Sequence, residues 1–273
     1  MQGANQQNAH QADAGGFFQA ADPRLAHVEE SAVNAYVVKV FGWMFLGLLI
    51  TTLSTAAIVA GINVSEAFTA FINTAFQMII IIFIGQVVLV GFISARVTKM
   101  NPVTAKLLYL VYAAVNGLTF GLIAVLFAAE IGGMHVLGMA FGLTAASFGA
   151  MALYGYATGK DLTQFSSLLR MALIGLILVM VVNIFLRSDA MGFLISIVGL
   201  FIFLGLVAAD TNKIKNHFAR IALGSTDESN RAMGITIDQE ALASNLAIAG
   251  ALMLYLDFIN IFMFILRLLG RRR

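Results

Sequence analysis

The chain has 273 residues, of which 60% are apolar and only 11% charged, with a mean hydropathy of +0.91. Soluble proteins run at roughly 45–50% apolar and about 25% charged, so this composition excludes a soluble enzyme and a freely diffusing nucleic-acid binder and defines a polytopic membrane protein. The absence of Cys excludes disulfides, thiolate catalysis and iron–sulfur ligation, the four His are scattered, and the net charge of +2 (pI near 9.0) comes mostly from loops and tail.

Residues 1–35 are rich in Gln, Asn, Ala and Gly and read as a flexible cytoplasmic leader, without the basic and apolar regions of a cleaved signal. Seven apolar stretches follow, at about 40–60, 75–95, 107–129, 136–158, 168–186, 190–210 and 241–267. Each is close to the ~20 residues that a helix needs to cross hydrocarbon, and no alternation suited to a β-barrel appears. The expected fold is therefore an all-α bundle of seven transmembrane helices, from residue 36 to 273. Arg170 interrupts the fifth stretch and is read as snorkelling from its end.

Charge orients the bundle. The loops after spans two, four and six carry Arg96, Lys99 and Lys106, then Lys160 and Arg170, then Lys213, Lys215, Arg220 and Arg231, whereas the odd loops carry only Arg187. The positive-inside rule then places the N-terminus and the even loops in the cytoplasm. Arg271, Arg272 and Arg273 conflict with seven full crossings, because they would end outside; the alternative is a re-entrant last segment, and seven crossings are preferred. Thr236 with Gln239 fits a capping box opening the last helix. Gly138, Gly142, Ala146 and Ala150 form a small-residue ridge in span four, and Gly117 with Gly121 a second in span three. Both are expected to pack within the chain, with a homo-oligomer face as the alternative.

An ionisable residue inside a span asks for a reason, since an Asp at a helix centre costs roughly 2.5–3.5 kcal/mol on insertion scales. Asp257, in ALMLYLDFINIF, lies near the middle of span seven with Asn260 one turn on, and Asp210 follows span six directly. Consecutive helices can bring the two carboxylates together, and two such groups in a low dielectric share a proton rather than both ionise. A shared proton would latch helices six and seven. Its loss would open the site and leave oxygen ligands suited to calcium, so Asp210 and Asp257 are also the candidate metal ligands. The plainer readings are a surface pair of Asp210 with Lys213 and a structural hydrogen bond for Asp257. Arg96 is the candidate counter-charge. Gln86, Asn116 and Asn183, with Asn260, are candidates for a polar path, although each alone is more simply helix glue.

Enzyme readings lack their residues: Ser147 lies in AASFGA rather than GxSG, no span contains His, and LYLD replaces the GxGD of an intramembrane aspartyl protease. A mid-span Lys for retinal and a Walker A motif are also absent.

GYATGKDLTQF at 155–165, AADTNKIKN at 208–216 and ALMLYLDFINIFMFILRLLG at 251–270 resemble the Bax inhibitor-1/YccA-like family, in particular its bacterial inner-membrane branch, over about residues 30–273. The resemblance implies a central helix surrounded by six others and a pH-sensitive calcium leak gated by a carboxylate pair, which falls on Asp210 and Asp257, with a helix-two basic partner at Arg96. Ala209 stands where similar members often have Tyr, and Gln86 stands near a helix-two carboxylate of some calcium-leak members. The family also includes bacterial members that restrain a membrane AAA protease of the FtsH type, so a non-enzymatic interaction protein is the alternative function.

Overall fold

The computed structural model describes residues 23–61, 65–130, 134–219, 221 and 239–270. They form eight helices: α1 (Pro23–Gly61), α2 (Glu66–Gln77), α3 (Ile79–Arg96), α4 (Pro102–Glu130), α5 (Met134–Ala157), α6 (Thr163–Leu186), α7 (Asp189–Lys213) and α8 (Gln239–Gly270). Seven of these are long and apolar enough to cross a membrane, all but α2. No strand occurs among the described residues.

Local sequence sets the helix ends. Asn101 accepts the Val103 N–H at 2.9 Å through its side chain, and Pro102 opens α4 at the position where its missing N–H costs nothing. A two-residue turn joins α6 to α7. Arg187 there has φ 49°, and the Ser188 hydroxyl caps α7 by accepting the Met191 N–H.

Two boundaries differ from the sequence reading. Helix α1 reaches back to Pro23, so residues 23–35 belong to a helix rather than to a leader; residues 1–22 lie outside the described residues. The run at 75–95 is also not one helix. Ser65 caps α2, an amphipathic helix that buries Ile72 and Ala75, and the chain breaks at Met78 before α3 begins. Apolar composition continues across Met78, which is why run length misses the break.

Helix α8 is the centre of the bundle: 61% of its apolar window is buried, against 11% for α3 and for α6. It packs on α7, α1, α5 and α4. Its Tyr255 is fully buried, stacks edge-on to Tyr109 and Tyr112 of α4, and shares a 2.7 Å hydrogen bond with Thr51 of α1. Gly117 and Gly121 let α4 lie against Thr51, Ser54 and Ile58, where a Cβ would come within 2.6 Å of its neighbours. The span-four ridge behaves otherwise. Gly138, Gly142, Ala146 and Ala150 are all exposed, and a Cβ at either glycine would meet nothing within 4 Å, so this ridge does not pack within the chain.

Side-chain ties define one end of the bundle. Asn245 of α8 donates to Met100 O at 2.7 Å, Tyr156 of α5 bonds Asn34 of α1, and Lys215 donates to Tyr156 O at 2.9 Å. From that end α8 runs without interruption to the other, where Arg267 and Gly270 line the same cavity as Arg187 and Ser188. The last segment therefore crosses fully and is not re-entrant. Arg271–Arg273 and Thr236 lie outside the described residues, as does the side chain of Gln239.

Candidate functional site

Asp210 and Asp257 are both buried, 5% and 4% exposed, on the packed pair α7 and α8. Helix α7 does not stop at Asp210. It continues to Lys213 and into a π-helical turn, Ile214–Phe218, whose first N–H is shared between the carbonyls of Asp210 and Thr211. The turn after Asp210 thus stays backbone-satisfied at depth, as buried backbone must.

The counter-charge comes from α6. Arg170 Nη2 lies 3.4 Å from Asp210 Oδ1, with the Arg side chain half exposed and the Asp side chain 7% exposed. At that length it is an ion pair more than a hydrogen bond. Lys213 also acts electrostatically on Asp210, and the charges of Asp210 and Arg170 both act on Asp257. Arg96, expected in this role, is exposed at the end of α3, and the ion pair found among the described residues is the one made by Arg170. The sequence signal for Arg170 was its position as a charge interrupting an apolar run.

Asp257 contrasts with Asp210. Its Oδ2 is buried without a hydrogen-bond partner. Its neighbour Phe258 packs edge-on against Phe141 and Phe148 of α5 and lines a cavity of about 200 Å³ with Thr51, Thr55, Phe141 and Phe262. Asp257 thus directly precedes in sequence a residue of an apolar cavity, and it is acted on by the charges of Asp210 and Arg170.

The side chains of the polar-path candidates are spent on local hydrogen bonds. Gln86 donates to Thr119 Oγ1 at 2.8 Å, tying α3 to α4. Asn116 and Asn260 each donate to the carbonyl four residues back in their own helix, Tyr112 O and Leu256 O. The Asn183 side chain accepts the Ser188 N–H at the far end of the bundle.

Asn212 was not foreseen. Two residues after Asp210 and 2% exposed, it donates to Gly155 O and Lys160 O and accepts the Leu162 N–H. It clamps the α5–α6 connection onto α7. Beside it Gly155 lies so close to α7 that a Cβ would fall 2.1 Å from Ala208 O. The segments 155–165 and 208–216 are thus in direct contact, and together they hold Asp210 in place.

As to a metal, no group of three or more His, Cys, Asp or Glu that could hold one occurs among the described residues. Two carboxylates offer four oxygens, fewer than the 6–8 that calcium takes, so any calcium here would keep water in its shell.

Seven crossing helices, one of them buried at the centre, with a buried Asp on each of two packed helices, define a multi-pass α-helical membrane protein. A family profile described as inhibitor of apoptosis-promoting Bax1 matches residues 33–273, and the chain belongs to that family. It is 37% identical over 246 residues to the inner membrane protein YbhL of Escherichia coli, covering 89% of this chain and 94% of YbhL. Proteins of Rickettsia prowazekii (34% over 244 residues, 89% and 92% of the two chains) and Borreliella burgdorferi (36% over 241 residues, 88% and 93%) are similarly close.

Proposed function

We propose that this protein is a pH-sensitive leak for calcium, without enzymatic activity, in a bacterial inner membrane, its N-terminus in the cytoplasm. The observation that carries the reading is the buried, unpartnered Asp257 Oδ2 beside an Asp210 that is itself held by Arg170. A buried carboxylate oxygen lacking a partner is costly as an anion. When the pair holds a proton, α7 and α8 stay joined across it. When both carboxylates are charged, their repulsion separates the helices and offers a hydrated cation a passing site of four oxygens. Arg170 competes with that proton for Asp210, and because it is half exposed it can leave for solvent. The apolar chamber beside Phe258 keeps the route dry while the latch is closed. The basic even loops support the cytoplasmic assignment, and the name of YbhL supports the inner membrane.

Arg170 supplies the test. Calcium flux into proteoliposomes is recorded against pH for wild type, Arg170→Gln and Arg96→Gln. The pH of half-maximal flux moves in Arg170→Gln and stays put in Arg96→Gln. Identical profiles for all three would contradict the arrangement.

A further inference from the structure

We propose that the cavity framed by α1, α4, α5 and α8 holds the end of one acyl chain of a membrane lipid. The cavity has a volume of about 200 Å³. Helix α1 packs closely along α4, whereas α4 meets α5 only sparsely, and the space left between these walls is closed on its inner side by Phe258 and Phe262 of α8. Rings on the walls brace that inner side. Phe120 of α4 stands edge-on to Phe262 with centroids 5.5 Å apart, and Phe141 of α5 stands edge-on to Phe258 at 5.6 Å.

The lining selects hydrocarbon over water. Its polar side chains are three threonines of α1, and their hydroxyls are committed inside the protein: Thr51 to Gly47 O, Ala113 O and the Tyr255 hydroxyl, Thr52 to Leu48 O, and Thr55 to Gly117 O. A buried water needs two to four polar partners, and an apolar cavity of about this size stays dry and takes apolar solutes instead. Depth selects a chain over a headgroup. The span Glu240–Gly270 is centred on residue 255, so Phe258 and Phe262 lie about 5–10 Å along α8 from its middle, within the ~15 Å half-thickness of the hydrocarbon. The cavity also reaches the lipid-facing surface, because Thr52 and Phe141 line it and are themselves exposed, Phe141 by 47%. An unfilled cavity forfeits dispersion contacts along its whole lining. A lipid tail is as apolar as Leu, so it restores them without stranding a polar group, and the bilayer supplies it.

The test uses the full-length protein in phosphatidylcholine liposomes that carry a trace of the same lipid with a diazirine at the end of one acyl chain. After irradiation, labelled residues are located by peptide mass spectrometry. Wild type is labelled on residues 258–262 of the central helix as well as on the lipid-facing Phe185 and Phe201, which are 82% and 69% exposed. Ala124→Leu, which fills the space from α4, loses the α8 label and keeps the outer one. Thr52→Leu, whose hydroxyl serves Leu48 O in its own helix, does the same from α1. Gly175→Leu, on the exposed face of α6 with nothing within 4 Å of its Cβ, changes neither label. Wild-type circular dichroism spectra confirm that each variant is folded, and a diazirine moved to the headgroup labels none of residues 258–262. Absence of the α8 label in wild type, its survival in either folded filling variant, or labelling of 258–262 by the headgroup probe would each overturn the proposal.

Discussion

Replacing Gly155 by Ala tests the contact that sets the position of Asp210. A Cβ there would lie 2.1 Å from Ala208 O and 2.8 Å from Ala208 C and Cα, and all three are backbone atoms that cannot rotate aside. Ordinary contact begins at 3.4 Å, so α5 and α7 must part by about 1.3 Å along that line (3.4 minus 2.1). Overpacking of this kind costs about 1–3 kcal/mol. Ala gains up to ~1 kcal/mol over Gly in helix propensity, which offsets part of it. Gly149→Ala, six residues earlier in the same helix, isolates that gain because nothing lies within 4 Å of its Cβ. Unfolding in mixed micelles with increasing sodium dodecyl sulfate, followed by circular dichroism, measures both. Gly155→Ala is destabilised and Gly149→Ala is not, the two differing by about 1–3 kcal/mol. Equal stability of the two variants would refute the close approach of α5 to α7. Because Ala208 precedes Asp210 by two residues, Gly155→Ala also changes the pH profile of flux, and Gly149→Ala does not.

Thr51→Val strands the buried Tyr255 hydroxyl and costs about 1–3 kcal/mol in the same assay, whereas Tyr255→Phe costs under ~1 kcal/mol because Thr51 keeps its bonds to Gly47 O and Ala113 O. Asn212→Ala removes three hydrogen bonds at the α5–α6 connection, so amide exchange of residues 158–163 accelerates while that of α4 is unchanged. Asp161, outside the spans, is held below the usual carboxylate range by hydrogen bonds from the Thr163 hydroxyl and N–H. A carboxyl lowered in the folded state contributes above its unfolded value near ~4 and loses that contribution only as pH falls through the lower folded value. Asp161→Asn therefore leaves the flux profile between pH 5 and 8 unchanged, and a shift in that window would contradict this assignment.

The spans were legible because lipid demands long apolar runs, and Asp257 stood out because it breaks one. That it shares a packed helix pair, α7 and α8, with Asp210 followed from the adjacency of the sixth and seventh spans in the chain. What failed to show in the sequence was rotation about helix axes. Arg170 and Arg96 both end apolar stretches beside basic loops, yet only the phase of α6 turns Arg170 toward Asp210. The two small-residue ridges make the same point. Gly117 and Gly121 meet α1, and Gly138 and Gly142 meet nothing, because small side chains permit a close approach without naming the partner. Asn212 was hidden for another reason: a polar residue beyond the end of an apolar run looks like loop, and its role depends on a connection some 50 residues earlier in the chain.

The central claim is that Asp210 and Asp257 act as one proton-sensitive gate. It is tested most directly by calcium flux into proteoliposomes from pH 5 to 8 for wild type, Asp210→Asn and Asp257→Asn, each checked for folding. The account predicts flux that varies with pH in wild type and loses that variation in both variants. Wild-type flux absent at every pH, or a pH dependence that survives both substitutions, would contradict it.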